Sequence, residues 1–206
     1  SLLNSVHRLE SDYLVRPTFS LALLLLPVAT ALAANPVQES PPRGDIEVTA
    51  SMDPAEQRGA ASATVRIHAS RQTVWSLIIS CPESLKLVPG LETCDVLETA
   101  PDGSSQKIRH VMNYSWYLPT LTYVIRASYD PPSRISIERI SGDLRTLRGS
   151  WELSSDGDYT IAHYTVELVP GFWVPHWLVR SALRRDLPKM LRALRSRAEA
   201  VQSRKS

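Results

Sequence analysis

The feature that most constrains the fold of this chain is a series of strand-like segments followed by one long amphipathic helix pattern. Apolar and polar residues alternate in these segments, and sequences rich in Pro, Gly and Asp separate them, as is typical of antiparallel strands. The predicted strands cover residues 62–70, 93–99, 105–116, 121–129, 134–140, 144–154 and 159–169. From residue 175 to 201 the apolar residues instead recur with the period of an α-helix, about 3.6 residues.

The long helix predicts how the layers pack. An antiparallel sheet has one apolar face that must be covered, and this helix is the only predicted element large enough to cover it. Two short helices are expected after the first strand, over residues 71–80 and 82–89. We therefore predict an α+β fold in which a curved antiparallel sheet of about seven strands wraps around a long C-terminal helix. Pro188 lies inside that helix and is expected to kink it, because proline lacks the backbone N–H.

The N-terminal part of the chain has a different character. Residues 21–33 carry no charge and end in a small-x-small pattern, but they are short for a membrane span, which needs about 20 apolar residues. We predict that residues 1–33 are an export signal, with an uncleaved membrane anchor as the alternative, and that a bacterial host exports the protein to its periplasm. Residues 34–60 are rich in Pro, Ser and Gly and are interpreted as a flexible linker, with a short edge strand at 46–48. The folded domain is expected to cover residues 61–202, followed by a tail at 203–206.

The two cysteines, Cys81 and Cys94, flank the second short helix. An exported protein meets an oxidising compartment, which favours a disulfide between them. Such a bridge would contribute about 3 kcal/mol, largely by restricting the unfolded chain. Two buried free thiols are the alternative.

Composition and motifs exclude several classes of function. The formal net charge of +2 is too small to indicate nucleic-acid binding, and we predict no nucleic-acid partner. The five histidines show no ligand spacing, and metal, nucleophile and phosphate-loop motifs are absent, so we predict no metal site and no cofactor and assign no catalytic residue. His110, Arg126 and Tyr164 are the polar strand residues that could act as acid or base in a pocket. Each has an ordinary alternative as a solvated or satisfied strand residue.

Antiparallel topology brings aromatic loops together. The third, fifth and seventh predicted strands end at the same edge of the sheet, where Trp116, Phe172 and Trp173 lie, and the long helix begins there with Trp177. Tryptophan and tyrosine suit either the mouth of an apolar pocket or a membrane interface, although these loops could also pack as a small satellite core. Residues 176–206 contain nine basic residues but only two acidic ones. This basic helix could attract anionic lipid in a peripheral membrane contact, or simply present a solvated face.

Several stretches of sequence resemble the START-like helix-grip superfamily (SRPBCC), and most closely its polyketide cyclase/dehydrase and coenzyme Q-binding branch. The resemblance covers about residues 63–200. The stretches that carry it are residues 74–78, 87–91, 129–132, 147–151, 170–172 and 184–188. It implies a hydrophobic cavity between sheet and long helix. Members of the superfamily bind lipids, quinones, sterols or polyketides, and a minority are enzymes.

We therefore predict that the protein binds or carries a hydrophobic small molecule such as a lipid, a quinone or a polyketide-like compound. A cyclase or dehydratase acting on an aromatic polyketide-like substrate is the alternative, and it requires an ionisable group inside the cavity. A protein-interaction module with a filled core is a third class. The predicted ligand-binding residues are Tyr114, Tyr123, Trp151 and Tyr164 of the sheet, Leu187, Met190 and Leu191 of the long helix, and Trp116, Phe172 and Trp173 at the mouth.

Overall fold

The computed structural model describes residues 46–114 and 119–204. In these residues eight strands and three helices follow one another along the chain. The strands are β1 (Ile46–Asp53), β2 (Arg58–Ile67), β3 (Leu91–Thr99), β4 (Ser105–Met112), β5 (Leu121–Asp130), β6 (Arg134–Gly142), β7 (Leu144–Asp156) and β8 (Tyr159–Pro170). The helices are α1 (Arg71–Ile78), α2 (Cys81–Leu87) and α3 (His176–Ser203).

All strands belong to one antiparallel sheet with the order β1-β2-β8-β7-β6-β5-β4-β3. The sheet is open, with β1 at one edge and β3 at the other, and α1 and α2 occupy the connection from β2 to β3. The C-terminal helix α3 packs against β1, β2, α1 and α2. The predicted α+β helix-grip architecture is therefore confirmed.

Strand β1 corrects the predicted linker over residues 34–60. It pairs with β2 over its whole length, from Ile46 opposite Val65 to Asp53 opposite Arg58. Its alternate residues Ile46, Val48, Ala50 and Met52 pack against the hydrophobic core, which explains why this segment is ordered as an edge strand. The sheet therefore has one strand more than the predicted seven. The signal predicted at 1–33 and the remaining linker residues 34–45 lie outside the described residues.

The two short helices begin at serine caps. The Ser70 hydroxyl accepts a hydrogen bond from the amide of Thr73 at 3.2 Å, and the Ser80 hydroxyl accepts one from the amide of Glu83 at 3.4 Å. The cysteine pair then joins the start of α2 to β3, since Cys81 and Cys94 form a disulfide with a Cα–Cα distance of 5.3 Å. This bridge fixes α2 against the edge of the sheet.

Helix α3 packs against the sheet at β1 and β2 with one apolar side inward. Its buried residues recur at spacings of three and four, and they are Val179, Leu183, Leu187, Met190, Leu191, Leu194 and Ala198. Close packing at β2 depends on Gly59, where an added Cβ would lie 2.9 Å from Val179 Cγ1 and 3.1 Å from Leu183 Cδ1. The glycine therefore lets the first half of α3 approach the sheet.

Candidate ligand-binding site

A cavity of about 380 Å³ lies between the sheet and α3, with α2 closing one side. This volume falls within the usual range of small-molecule sites, about 300–1,000 Å³. Most of its wall is aliphatic. The aliphatic residues that line it include Ile78, Leu87, Ile108, Met112, Ile125, Ile135, Ile137, Leu144, Leu147, Val166, Leu168, Leu183 and Leu194. The interior is thus not filled by side chains, which disfavours the interaction-module alternative.

The structure brings seven of the ten predicted ligand-binding residues to this cavity. They are Tyr114, Tyr123, Trp151, Tyr164, Phe172, Leu187 and Met190. Their contact with a ligand stays a prediction.

Of the other three predicted residues, two do not line the cavity and one is outside the described part of the chain. Leu191 is fully buried, with 0% of its surface exposed, and it packs in the hydrophobic core without lining the cavity. Trp173 is 75% exposed and also lies outside the wall. Trp116 falls outside the described residues.

Strand register produces a row of polar groups across one side of the cavity. His110 of β4 lies opposite Cys94 of β3 on one side and opposite Tyr123 of β5 on the other. Its Nε2 is 3.4 Å from the Cys94 sulfur, and its Nδ1 is 3.4 Å from the Tyr123 hydroxyl. Burial lowers the pKa of His110 to about 4, so its imidazole is neutral at pH 7.

Two further tyrosines belong to the polar part of the wall. Tyr164 of β8 lies opposite Trp151 of β7, and the centroids of their rings are 4.5 Å apart. Tyr114 follows β4 on the same side of the chain as His110. Burial raises the pKa of Tyr114 to about 12 and raises the pKa values of Tyr123 and Tyr164 still further, so all three hydroxyls stay protonated.

Sequence reasoning selected His110, Arg126 and Tyr164 as polar candidates, and the structure separates them. His110 and Tyr164 line the cavity, whereas Arg126 is exposed on the opposite face of β5 from Ile125 and Ala127. The sequence analysis missed the contribution of α2 and of the disulfide, since Leu87, Val88, Cys81 and Cys94 also line the wall. The apolar Leu87-Val88 pair at the predicted end of the second helix was the available signal.

The loops after β6 and β8 meet at one end of the cavity, as the topology predicted. The amide of Gly171 donates to the carbonyl oxygen of Asp143 at 2.8 Å, and the amide of Asp143 donates to the carbonyl oxygen of Thr122 at 2.8 Å. Phe172 and Trp177 line the cavity at this rim, where Trp177 remains 63% exposed. The ion pair between Arg185 and Asp186, with a 2.8 Å N–O distance, also borders it.

Metal binding finds no support in the part of the chain that the structure describes. No group of three or more His, Cys, Asp or Glu residues that could hold an ion occurs within 46–114 and 119–204. In the same residues no helix is long and apolar enough to cross a bilayer.

The family of this chain follows from its sequence over the same domain. Residues 67–195 match the family described as polyketide cyclase / dehydrase and lipid transport. The chain belongs to this family. Among curated proteins none matches its sequence. The predicted place in the polyketide cyclase/dehydrase branch is confirmed.

Solved structures extend the likeness at the level of fold. The STAR-related lipid transfer protein from Xanthomonas axonopodis has a TM-score of 0.65 and 17% identity, over 76% of this chain and 95% of that one. The Zhui aromatase/cyclase from Streptomyces sp. R1128 has a TM-score of 0.56 and 16% identity, over 72% and 95% of the two chains. The lipid transfer and protein localization domain of human StarD13 has a TM-score of 0.61 and 12% identity, over 76% and 85%. At these low identities the likenesses establish the fold of this chain and nothing about its ligand.

Proposed function

We propose that this protein binds a hydrophobic small molecule in the cavity beneath α3 and carries it in a form shielded from water. The observation that carries the proposal is the cavity of about 380 Å³ with its largely aliphatic wall. Each Å² of apolar ligand surface removed from water there contributes about 25 cal/mol. The few polar groups of the wall would orient the ligand rather than supply most of the affinity.

The names of structural neighbours support the carriage of an apolar ligand but do not identify that ligand. Two of them are named for lipid transfer and one as an aromatase/cyclase. Both kinds of protein handle bulky apolar molecules, which agrees with the character of this cavity. Lipids, quinones and polyketide-like compounds therefore remain the ligand classes proposed.

A direct test is to fill the cavity from its roof. Ala182 of α3 lines the cavity, and Ala182→Trp would place an indole where the ligand is expected. With the neutral fluorescent probe N-phenyl-1-naphthylamine we expect one saturable site per chain and at least a tenfold loss of affinity in Ala182→Trp. Ala200→Trp is the matched control, since Ala200 is exposed near the far end of the same helix. Probe binding that is absent, or equal in all three proteins, would contradict the proposal. Native mass spectrometry of protein purified without detergent would show a co-purifying ligand.

Loading from a membrane is part of this proposal. Trp177, Arg180 and Arg184 lie at helical spacing on one exposed side of α3, next to the exposed Trp173 and the rim of the cavity. We call these four residues the rim surface. Tryptophan suits the membrane interface, and each basic residue near an anionic bilayer contributes about 1 kcal/mol. The rim surface would therefore hold the cavity mouth against anionic lipid.

Vesicle sedimentation separates this contact from general basic charge. We expect the protein to bind phosphatidylglycerol-containing vesicles more tightly than pure phosphatidylcholine vesicles, and Arg184→Gln to weaken that binding about fivefold. Arg126→Gln removes the same charge from the outer face of β5 and serves as control. Equal loss in both variants would mean that net charge, and not the rim surface, is responsible. Export to the periplasm remains the proposed location for this exchange.

One observation favours the cyclase or dehydratase as a second candidate function. His110, neutral at pH 7 and 3.4 Å from the Tyr123 hydroxyl, offers a proton acceptor beside a donor inside the cavity. A His110→Gln variant would then lose turnover of a synthetic aryl β-polyketone while retaining its binding. Absence of turnover by the unmodified protein would leave carriage as the function.

A further inference from the structure

The proposed carriage leaves open which head group the cavity accepts, and the structure narrows this choice. Three tyrosine hydroxyls, of Tyr114, Tyr123 and Tyr164, belong to one cavity wall. They lie close enough together that an ionised Tyr114 would raise the pKa values of both Tyr123 and Tyr164. Tyr123 comes from β5 and Tyr164 from β8, so the sheet fixes these two rings, and Tyr114 follows the end of β4.

Two of these hydroxyls have no hydrogen-bond partner in the part of the chain that the structure describes. Tyr123 lies 3.4 Å from His110, but no hydrogen bond joins the Tyr114 or Tyr164 hydroxyl to another residue within 46–114 or 119–204. Both side chains line the cavity, so an apolar ligand that filled it without offering an acceptor would remove water from these hydroxyls at a cost in free energy. A ligand that brings an acceptor to this point would restore those bonds.

Charge in the wall argues against an anionic head group. Burial disfavours the charged forms of His110 and of all three tyrosines, and it would disfavour a buried carboxylate for the same reason. The charged pair that acts on Tyr114 is Asp186 and Arg185, and the influence of Asp186 is the larger of the two. Arg148, the other cation at the wall, is exposed on an outward position of β7. The cluster therefore offers hydrogen-bond donors without net positive charge.

We infer that the cavity selects a neutral, oxygen-bearing apolar ligand, such as an aryl ketone or a quinone, whose carbonyl oxygen accepts hydrogen bonds from Tyr114 and Tyr164. The inference rests on the proposed function, since it assigns the ligand class of the same cavity. A carboxylate or phosphate head would have to remain at the rim, outside the tyrosine cluster.

Three naphthalenes of nearly equal shape test the head group by displacing N-phenyl-1-naphthylamine. They are 2-acetonaphthone, 2-naphthoate and 2-isopropylnaphthalene, which carry a ketone, a carboxylate and no oxygen. At pH 7 we expect the ketone to bind at least tenfold more tightly than the carboxylate. Tyr164→Phe should weaken ketone binding about three- to tenfold and change hydrocarbon binding less than twofold. Tyr114→Phe should act in the same direction.

Tyr159→Phe provides the matched control, because Tyr159 packs on His68 and Arg66 away from the cavity wall. Carboxylate binding as tight as ketone binding would overturn the inference, and so would an unchanged ketone affinity in both tyrosine variants. In either case saturable binding of the neutral probe would leave the proposed function intact. Failure of the probe and of all three naphthalenes to bind would overturn both proposals together.

Discussion

The two halves of α3 are attached to the rest of the protein by different kinds of contact. In the second half, the Arg197 guanidinium meets the Glu83 carboxylate of α2 at 2.8 and 2.9 Å. Glu199 accepts a hydrogen bond from the amide of His68 at 3.1 Å, and Gln202 accepts one from the Thr73 hydroxyl at 3.1 Å. These polar contacts fix the second half to α1, α2 and the end of β2.

The first half of α3 forms the roof of the cavity and packs chiefly through apolar side chains. Val179 and Leu183 rest on Gly59 of β2, while Leu178 and Leu187 face the cavity. Its first turn follows Pro175, which provides no side-chain cap. Apolar contacts are non-directional, so this half can shift by small amounts without breaking specific bonds. The polar anchoring contacts are therefore concentrated at one end of the helix, and we expect ligand access at the other.

The largest contrast is expected from two leucines four residues apart. Leu191 is fully buried and lies outside the cavity wall, so Leu191→Ala should lower the free energy of unfolding by about 2–5 kcal/mol. Leu187 already borders open space, so Leu187→Ala should cost less stability and instead weaken ligand binding. Urea unfolding and titration with N-phenyl-1-naphthylamine measure the two effects. If the two variants lose the same unfolding free energy and bind the probe equally well, the proposed difference between the halves of α3 is contradicted.

The sequence predicted these elements better than it predicted which residues face the cavity. Seven strands follow from apolar alternation and turn residues, but β1 was read as linker because its Ala and Ser residues give a weak pattern. Which side chains face the cavity depends on irregularities in strand register that no sequence pattern reveals. Leu144 and Leu147 are both buried, although three positions apart, because the register of β7 shifts between residues 144 and 146. Leu191 shares the buried side of α3 with the wall positions Leu187 and Leu194, so helical spacing alone does not distinguish a core position from a wall position.

A smaller effect is expected from the ion pair that anchors the second half of α3. The Arg197 guanidinium, with a contribution from Lys86, lowers the pKa of Glu83 to about 2 from its usual 4.5. A carboxyl with a depressed pKa in the folded state stabilises the protein above its unfolded pKa, and this contribution is lost as the pH falls from 4.5 through 2. Because solvent reaches the pair and screens it, we expect a contribution at the small end of the range for surface ion pairs, below about 1 kcal/mol.

Glu83→Gln isolates that contribution. Urea unfolding at pH 7 should show the variant to be less stable than the unmodified protein, and the difference should shrink as the pH approaches 2. Ligand affinity should stay unchanged, because neither Glu83 nor Arg197 lines the cavity. A stability difference that is independent of pH would show that the Glu83 charge is not what anchors the helix.

The smallest effect is expected at Pro188, where the two halves of α3 meet. This proline removes the backbone N–H that would otherwise donate to the carbonyl oxygen of Arg184, and it should kink the helix over the cavity. In Pro188→Ala that bond can form, which should straighten and stiffen the roof. We therefore expect slower hydrogen exchange at residues 176–187 and a ligand affinity changed by a few fold, with exchange at 190–203 unaffected. If neither the ligand affinity nor the hydrogen exchange of residues 176–187 changes, Pro188 does not control access to the cavity. The first half of α3 would then already be as rigid as the second half.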